Sequence, residues 1–496
     1  MLRSIRLRNF RSLRDTGDVE LRPIVLLVGG NDTGKSSLLR FFPLLEQTAR
    51  AAALTPLLWY ADAGDVDFGE FSQTLLRGAA DPWIEVSAAT AGPGRRTGWP
   101  LQFTARIVAG QDGRSRVERL VVECLGDSVS LDVAPDGGLV ALRLNDVPLP
   151  AVAGVRLVQR TPGPILHLEG DELVAFTVER IVEVVAAQVE GKLTLDELVR
   201  IVETIAYGPG EHLLASLGSV RGGRFWRDAM AGVTADGELV CQIKALAFLR
   251  QLDRALEDLA DAVRDHARGV RYLGPFRRPP QRYHRRTEFG LGQLGRDGSN
   301  LAMLLDALPA AERDAFSAWL RRHFGFGAHA ERLGAHVCVM VDQAAQHSLN
   351  VADTGCGTAE LLPVVAQCWL AGRHPHIPDT GPATTLLAVE QPELHLHPSR
   401  QAPLADMFLA TARALADAGQ SACLCIETHS EAMLRRFGQL VAAGAVRPDE
   451  LTILRFDPDG DATTVVPLAF AADGTLPGCP TTSPASAPPA SASPAQ

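Results

Sequence analysis

The sequence GGNDTGKSS at residues 29–37 constrains the fold more than any other stretch of the chain. Its residues Gly29, Gly34, Lys35 and Ser36 fit the spacing G-x-x-x-x-G-K-[ST]. In such a loop the glycines let backbone N–H groups surround phosphate oxygens, the lysine reaches the β- and γ-phosphates, and the hydroxyl binds Mg²⁺. The spacing therefore predicts a loop that binds a nucleoside triphosphate.

The residues on either side of this loop have the pattern that the loop requires. An apolar run at 24–28 is typical of a strand covered on both faces. Residues 36–47 show helical spacing of apolar side chains, and the positive end of that helix would face the phosphates. We predict that ATP and Mg²⁺ bind here, with contacts from Gly29, Asn31, Thr33, Gly34, Lys35, Ser36 and Ser37.

Lysine is rare in this chain, which makes Lys35 more informative. The 48 basic residues are arginines except for Lys35, Lys192 and Lys244. Such a chain is expected to keep lysine mainly where a compact ammonium group on a flexible stem is needed. We predict a catalytic role for Lys35.

The composition is that of an ordinary soluble chain. Its 496 residues are enough for about two to four lobes. No run approaches the ~18 uncharged apolar residues of a membrane span, and the start has no signal-peptide core, so we expect a cytoplasmic protein. A net charge of −10 argues against indiscriminate polyanion binding. The eight cysteines include no C-x-x-C pair and indicate reduced core thiols, not a zinc site or a disulfide framework.

A second motif, TLLAVEQPELHLHP at residues 385–398, has four apolar strand residues that end in Glu390. A phosphate-binding loop leaves Mg²⁺ partly coordinated by water, and an acid at the end of a neighbouring strand orients those waters. We predict this role, as a catalytic and metal-site residue, for Glu390. The alternative is an ordinary buried strand that ends in a solvated acid.

A third motif, CLCIETHSE at residues 423–431, is another apolar strand, here ending in Glu427, Thr428 and His429. An imidazole at this place can donate to the γ-phosphate or hold the attacking water. We predict that His429 is catalytic. The alternative is a polar side chain satisfied by its local surroundings.

The pattern of elements along the chain predicts five segments. A sequence pattern typical of short strands begins near residue 83, and a helical pattern runs from about 166 to 266. The last residues are almost entirely Pro, Thr, Ser and Ala. The predicted segments are 1–82 and 267–478 as two halves of one head, 83–165 as an antiparallel β subdomain, 166–266 as a helical insertion, and 479–496 as a disordered tail.

Together these motifs resemble ATPases of the ABC/SMC/RecF type, in particular the bacterial AAA-like branch that includes the overcoming-lysogenization-defect proteins. The resemblance covers roughly 1–75 and 270–470. It rests on IRLRNFRSLRD and the phosphate loop, on DFGEF (67–71) at the Q-loop region, on YLGPFRRPPQRY (272–283), on VADTGCGTAELLPV (351–364) as the signature loop, on VEQPELHLHP as the Walker B segment and D-loop, and on ETHSE as the switch histidine.

The resemblance implies an α/β P-loop NTPase fold of the ABC/SMC head type: a mixed central sheet flanked by helices, an antiparallel β subdomain and an inserted helical lobe. It also implies a homodimer in which two heads, arranged head to tail, enclose two ATP molecules. The signature loop, around Gly355, Gly357 and Glu360, would close on the partner's γ-phosphate through backbone amides.

Gln391 departs from the family pattern, because most relatives have a glutamate general base after the Walker B acid. An amide cannot accept a proton as a carboxylate does, so hydrolysis is expected to be slow unless Glu393, His429 or a partner supplies the base. The signature loop also lacks its usual serine. We still place Gln391 among the catalytic positions.

Two other kinds of site are open to weaker interpretations. His395 and His397, with Glu393 nearby, resemble a metal site, but the family pattern places them in the D-loop at the dimer contact. Eight arginines between Arg264 and Arg286, with more in the first fourteen residues, could bind DNA. A solvated or internally paired surface is the commoner outcome for such clusters.

The motifs favour an ATP-driven dimerisation switch, with DNA maintenance or antiphage defence as the settings that the resemblance implies. The alternative is a slow or inactive nucleotide-sensing scaffold that regulates a partner, and an ABC transporter subunit is a poorer fit. A nuclease, if one acts, is expected in a separate effector chain, because too few residues follow His429 to form another domain.

Overall fold

The computed structural model describes residues 2–51, 55–60, 66–79, 82–111, 113–150, 152–190, 192–220, 223–286, 293–343, 347–373 and 384–478. The predicted disordered tail lies outside these ranges. Within them, no helix combines the length and apolarity needed to cross a bilayer.

The first half of the chain forms strands and then helices. The N-terminal elements are β1 (Leu2–Phe10), β2 (Leu13–Asp15), β3 (Val19–Glu20), β4 (Ile24–Gly29), α1 (Lys35–Ala51) and α2 (Phe71–Thr74). The strands that follow are β5 (Trp83–Thr90), β6 (Gln102–Ala109), β7 (Ser115–Cys124), β8 (Asp127–Val133), β9 (Leu139–Leu144), β10 (Val147–Leu149), β11 (Arg156–Val158) and β12 (His167–Glu169). The helices after them are α3 (Glu172–Gln188), α4 (Leu195–Thr204), α5 (Gly210–Gly218), α6 (Gly223–Met230), α7 (Glu238–Arg250) and α8 (Leu252–Arg268).

The second half alternates strands and helices. Its first elements are β13 (Val270–Leu273), β14 (His284–Arg285), α9 (Leu301–Ala307), α10 (Ala310–Phe324), β15 (Gly327–Leu333), β16 (His336–Asp342) and β17 (Ser348–Asn350). Then follow α11 (Cys356–Arg373), β18 (Thr384–Glu390), α12 (Pro398–Asp417), β19 (Ser421–Glu427), α13 (Glu431–Ala442), β20 (Leu451–Asp459) and β21 (Ala462–Leu468).

One large mixed sheet runs through the molecule in the order β10-β9-β8-β7-β6-β5-β1-β2-β21-β20-β4-β19-β18-β13, with β3 on β1. Strands β20, β4, β19, β18 and β13 are parallel neighbours, so their carboxyl ends share one edge. Strands β5 to β10 are antiparallel and extend the same sheet. The predicted α/β P-loop fold class, a mixed sheet flanked by helices with an antiparallel β region, is confirmed by this architecture.

The parallel strands are apolar on both faces because both faces are covered. In β4, Val25 and Leu27 belong to one core, whereas Ile24, Leu26 and Val28 belong to the other. Successive side chains of a strand point to opposite faces, so a continuous apolar run supplies two cores at once. β18 and β19 divide their side chains between the same two cores.

The helical segment shares the first of these cores with the antiparallel strands. Helix α8 also contacts α1, the helix after the phosphate loop. Asp258 of α8 also accepts hydrogen bonds from the backbone N–H groups of Arg96 and Thr97, between β5 and β6, at 3.1 and 2.9 Å. The helices of residues 172–268 are thereby joined both to the antiparallel strands and to the head.

Candidate functional site

The phosphate loop connects β4 to α1 and requires two of its glycines for steric reasons. Gly29 and Gly34 have φ angles of +148° and +82°. A Cβ atom on Gly29 would lie 2.5 Å from the carbonyl oxygen of Phe456, and one on Gly34 would lie 2.4 Å from the Ser12 hydroxyl oxygen. The backbone can take this path only where a side chain is missing.

Lys35 is the first residue of α1, and its side chain turns back over the loop. Its ammonium group donates to the carbonyl oxygen of Gly30, and the Thr33 hydroxyl donates to the same oxygen at 2.9 Å. Lys35 is 3% exposed, and burial lowers the pKa of its ammonium group. An incoming triphosphate would replace one weak acceptor with several charged ones.

Ser36 contacts a carboxylate that was not singled out from the sequence as a site residue. Its hydroxyl donates to Glu427 at 2.7 Å. Glu427 is the last residue of β19, and β19 lies directly beside β4. Burial, and then the neighbouring charge of Glu390, raise the pKa of Glu427 to about 7. A hydroxyl and a carboxylate are oxygen ligands of the kind that Mg²⁺ prefers, so the pair fits the predicted metal.

Glu390 also lies at this edge of the sheet, but one strand further from the loop. Its carboxylate receives two hydrogen bonds from the Arg40 guanidinium, at 2.7 and 2.8 Å, and one from the Tyr272 hydroxyl at 2.6 Å. The side chain of Glu390 is 2% exposed. The predicted Mg²⁺ role of Glu390 therefore requires that Arg40 release it, whereas Glu427 already contacts Ser36.

The segment after β18 is held by Arg277. This guanidinium donates to the carbonyl oxygens of Glu390 and Gln391, at 2.8 and 3.0 Å. Gln391 has a φ of +43°, and its N–H donates to the carbonyl oxygen of Glu427 at 2.9 Å. The stretch YLGPFRRPPQRY thus supplies two residues, Tyr272 and Arg277, that position the ends of β18 and of the loop after it.

His429 and Glu393 are linked across neighbouring strand ends. The backbone N–H of His429 donates to the Glu393 carboxylate at 2.6 Å. Burial raises the pKa of Glu393, and burial followed by the charge of Lys35 lowers the pKa of His429. His429 is consequently neutral at physiological pH, the state in which an imidazole nitrogen can accept a proton.

These motifs meet in a cleft of about 1450 Å³. Of the predicted residues, those that line the cleft are Asn31, Thr33, Gly34, Lys35, Ser36, Ser37, Gln391 and His429. Arg11, Arg40 and Arg77 add positive charge, while Asp67 and Phe68 come from the predicted Q-loop region. The acidic residues Asp32, Glu427 and Asp461 also line the cleft, so positive charge is concentrated locally and does not cover the whole lining. Gly29 and Glu390 are not among the residues that line the cleft.

The signature loop lies elsewhere. Among the described residues, no member of 351–364 lines the cleft. Gly355 is exposed, and a Cβ added to it would meet no described atom within 4 Å. Gly357 packs tightly, because an added Cβ would lie 2.5 Å from the carbonyl oxygen of His395. The structure therefore does not bring Gly355 and Gly357 to the phosphate loop of the same chain.

The arginine-rich stretch is largely paired within the molecule. Salt bridges join Arg264 to Asp261, Arg282 to Asp353, and Arg286 to Asp306. Arg277 binds backbone carbonyls, as described above. The internally paired alternative accounts for these four arginines.

Comparison with known families gives one match, at the phosphate loop. Residues 1–72 match the AAA ATPase domain family. No curated protein matches the chain. The match and the convergence of Lys35, Ser36 and Glu427 support an ATP-binding P-loop ATPase.

Solved structures that resemble the chain include three Smc head domains. The head domain of Pyrococcus furiosus Smc, bound to the C-terminal domain of ScpA, has a TM-score of 0.36 and 11% identity, with coverage of 94% of this chain and 96% of that one. The SMC head domain of Thermotoga maritima has a TM-score of 0.34 and 10% identity, with coverage of 94% of this chain and 98% of that one. The Smc head domain of Pyrococcus yayanosii has a TM-score of 0.32 and 10% identity, with coverage of 95% of this chain and 98% of that one. The fold assignment rests on the strand order and the phosphate loop.

Proposed function

We propose that this protein is an ATP-hydrolysing switch whose head binds MgATP and then joins a second copy. The observation that carries the proposal is the convergence of three motifs, distant in sequence, on one cleft: Lys35 and Ser36, Gln391, and Glu427 with His429. Each lies at the carboxyl end of a strand in the parallel part of the sheet, in the loop after it, or in the first turn of the helix that follows. Ligands of open α/β sheets bind at this edge.

We infer that Ser36 and Glu427 hold Mg²⁺, which when bound neutralises charge on the β- and γ-phosphates. Support comes from the 2.7 Å hydrogen bond between them. Glu390, paired with Arg40, then acts mainly by positioning α1 against β18. The predicted direct role of Glu390 in the metal site remains the competing assignment, and the two acids can be separated by mutation.

The proton of the attacking water needs an acceptor, and the Gln391 amide is a poor one. The groups that line this cleft and can accept a proton include Glu427, with its pKa of about 7, and neutral His429, as well as Asp32, Asp67 and Asp461. We propose His429 for this role, because Glu427 would be engaged by the metal. Hydrolysis is then expected to be slow, because Gln391 stands where the family pattern has a carboxylate base.

A single-turnover assay with radiolabelled ATP tests the proposal. Wild-type protein is expected to bind ATP and release phosphate, and Lys35→Ala is expected to lose binding because the phosphates lose their buried ammonium partner. Lys192→Ala, which removes an exposed lysine that pairs with Glu190, is the matched control and should behave as wild type. Equal binding by Lys35→Ala and wild type would refute the proposed site.

Gln391 favours a second candidate, a nucleotide-sensing scaffold. An amide in the cleft beside the phosphate loop leaves ATP bound without efficient attack by water. In the same assay, ATP that stays bound and intact over many minutes in wild type, but is absent in Lys35→Ala, would identify the scaffold. Phosphate release that depends on Lys35 would identify the enzyme.

Dimerisation is proposed on the position of the signature loop. Residues 351–364 do not line the cleft of their own chain, and the exposed part of this segment, at Gly355 and Cys356, is available to close on the cleft of a second copy. Only the family resemblance supports a role in DNA maintenance or antiphage defence and the presence of a separate effector chain. Stimulation of phosphate release by added DNA, measured over a range of salt concentrations, would test the first of these settings.

A further inference from the structure

Three side chains able to bind a metal converge at the start of α11, outside the nucleotide cleft. The Cys356 sulfur lies 3.8 Å from His395 Nδ1 and 3.5 Å from Glu360 Oε1. His395 Nδ1 lies 2.9 Å from Glu360 Oε1. One donor atom from each residue is thus directed into the same small volume.

The local structure brings these residues together from two segments. Cys356 and Glu360 are four positions apart in the first turns of α11, so they lie on one face of the helix. His395 belongs to the loop after β18 and has a φ of +58°. Gly357 lets the two segments touch, because any Cβ there would collide with the carbonyl oxygen of His395. Arg400 braces the contact by donating to the Thr358 hydroxyl at 2.9 Å.

The spacing of the donor atoms matches a tetrahedral centre. At zinc, bonds of about 2.3 Å to sulfur and about 2.0–2.1 Å to nitrogen and oxygen place the donors roughly 3.3–3.6 Å apart. The three separations here, 2.9, 3.5 and 3.8 Å, bracket that range. Movements of a few tenths of an ångström would complete the geometry.

The chemistry of the donors selects the metal. A thiolate, an imidazole and a carboxylate suit zinc, whereas Mg²⁺ and Ca²⁺ prefer sites made of oxygen alone. Sequence spacing could not find this site, because it paired His395 with His397 and assigned the cysteines to the core. Cys356 is exposed, and the His397 Nδ1 atom is bonded instead to Ser399.

We propose that Cys356, Glu360 and His395 bind one Zn²⁺ ion, which fastens the signature loop to the loop after β18 and leaves one coordination position for water. On binding, the Cys356 thiol gives its proton to solvent. The imidazole binds through Nδ1 as the neutral tautomer that carries its proton on Nε2. The site is independent of ATP, so it stands or falls separately from the proposed function.

Metal binding to chelator-treated, full-length protein tests the site. Zn²⁺ titrated in competition with a chromophoric chelator should give one tight equivalent per chain. Co²⁺ used in its place should give thiolate-to-cobalt charge-transfer absorption and the intense visible bands of a tetrahedral centre. Lys35→Ala should bind both ions as wild type does, which separates this result from any failure of nucleotide binding.

Cys356→Ser and His395→Asn are the test variants. Asparagine suits His395 because it tolerates the left-handed backbone of this position. Each variant should bind zinc at least about tenfold more weakly, since loss of even an outer-shell partner costs that much. Cys356→Ser should also lose the charge-transfer band.

Cys241→Ser, which removes another exposed thiol, is the matched control and should keep full binding. Circular dichroism confirms that each variant folds, and if Cys356→Ser does not, His395→Asn decides. The proposal is overturned if wild type binds no zinc, or if folded His395→Asn binds it as tightly as wild type does.

Discussion

Glu427 and Glu390 end neighbouring parallel strands, and yet their carboxylates have different partners. Glu427 accepts from Ser36 of the phosphate loop, whereas Glu390 is enclosed by Arg40 and Tyr272. Charge-assisted pairs of this kind hold a carboxylate firmly in place. At the scale of single residues, β19, which pairs with β4, supplies the acid that contacts Ser36 of the phosphate loop.

Replacing each acid with its amide distinguishes the two roles. Glu427→Gln is expected to lower Mg²⁺-dependent phosphate release by about tenfold or more, because the amide is a far poorer partner for the metal. Glu390→Gln is expected to lower stability, by about 1–2 kcal/mol after allowance for the partial exposure of Arg40, and to affect magnesium dependence less. Magnesium titrations of activity, with thermal melts of both variants, make the comparison. A larger magnesium defect in Glu390→Gln would return the role to that residue.

The pKa of Glu427 predicts a pH dependence of stability in the nucleotide-free protein. In the unfolded chain this carboxyl ionises near 4.5, and in the folded protein near 7. The folded state therefore holds the proton more tightly, so the contribution of Glu427 to stability is fully present below pH 4.5 and is lost as the pH rises to about 7.

The loss attributable to Glu427 amounts to about 3 kcal/mol. Thermal melts from pH 5 to pH 8 should show wild type losing stability relative to Glu427→Gln, which cannot ionise. Glu393, with its own raised pKa, contributes in the same direction in both proteins. Parallel pH profiles for the two proteins would contradict the buried, protonated state of Glu427.

At the scale of elements, the sequence predicted what local patterns determine. The strands at β4, β18 and β19 and the helix α1 follow from apolar periodicity and from the glycine loop, and the structure has them at those places. Within the segment predicted to be helical, residues 166–266, the helices α7 and α8 are separated only at Gln251. Nothing in the apolar spacing marks that single-residue break.

The hydrogen-bond partners of Ser36 and of Glu390 could not be predicted from the sequence, because they depend on the order of the strands in the sheet. Apolar runs predict that strands exist, but not that β19 lies between β4 and β18. That order is what brings Glu427 to Ser36 and leaves Glu390 to Arg40. The zinc-binding cluster was missed for the same reason, since Cys356 and His395 come from segments joined only in three dimensions.

The phosphate loop and a nearby turn allow a matched test of glycine. Gly34 and Gly17 both have positive φ angles. An alanine at either position must adopt this left-handed conformation, which lowers the stability of the folded protein by about 1–2 kcal/mol. A Cβ at position 17 meets open space, whereas at position 34 it would collide with Ser12. Gly34→Ala should therefore melt lower and bind ATP at least about tenfold more weakly, and Gly17→Ala should bind ATP normally. Equal ATP binding by the two variants would contradict the assigned loop geometry.

At the scale of the molecule, the large sheet links the nucleotide cleft to the antiparallel strands, and the helices of residues 172–268 rest on those strands and on α1. The phosphate loop leads directly into α1, and α1 contacts α8. The segment 351–364 does not line the cleft of its own chain, and Gly355 within it is exposed. The arrangement suits a head that is completed by a second copy.

Gly355→Trp tests that arrangement. Since no described atom lies within 4 Å of a Cβ at this position, the single chain should fold and bind ATP normally. The bulky ring should prevent the signature loop from closing on the partner, so dimer formation with a non-hydrolysable ATP analogue should be lost. Light scattering of wild type and variant, with and without the analogue, gives the answer. An undiminished dimer in the variant would exclude this loop from the interface.

The central claim is that one cleft holds a magnesium triphosphate between the phosphate loop and the end of β19. A crystal structure with a non-hydrolysable ATP analogue, with Mn²⁺ replacing Mg²⁺, locates the metal directly by its anomalous scattering. The account predicts one metal peak bonded to the Ser36 hydroxyl oxygen, with Glu427 bound to it or to one of its waters, and Lys35 on the terminal phosphates. A nucleotide bound outside this cleft, or a metal that contacts the nucleotide but lies away from Ser36, would contradict it.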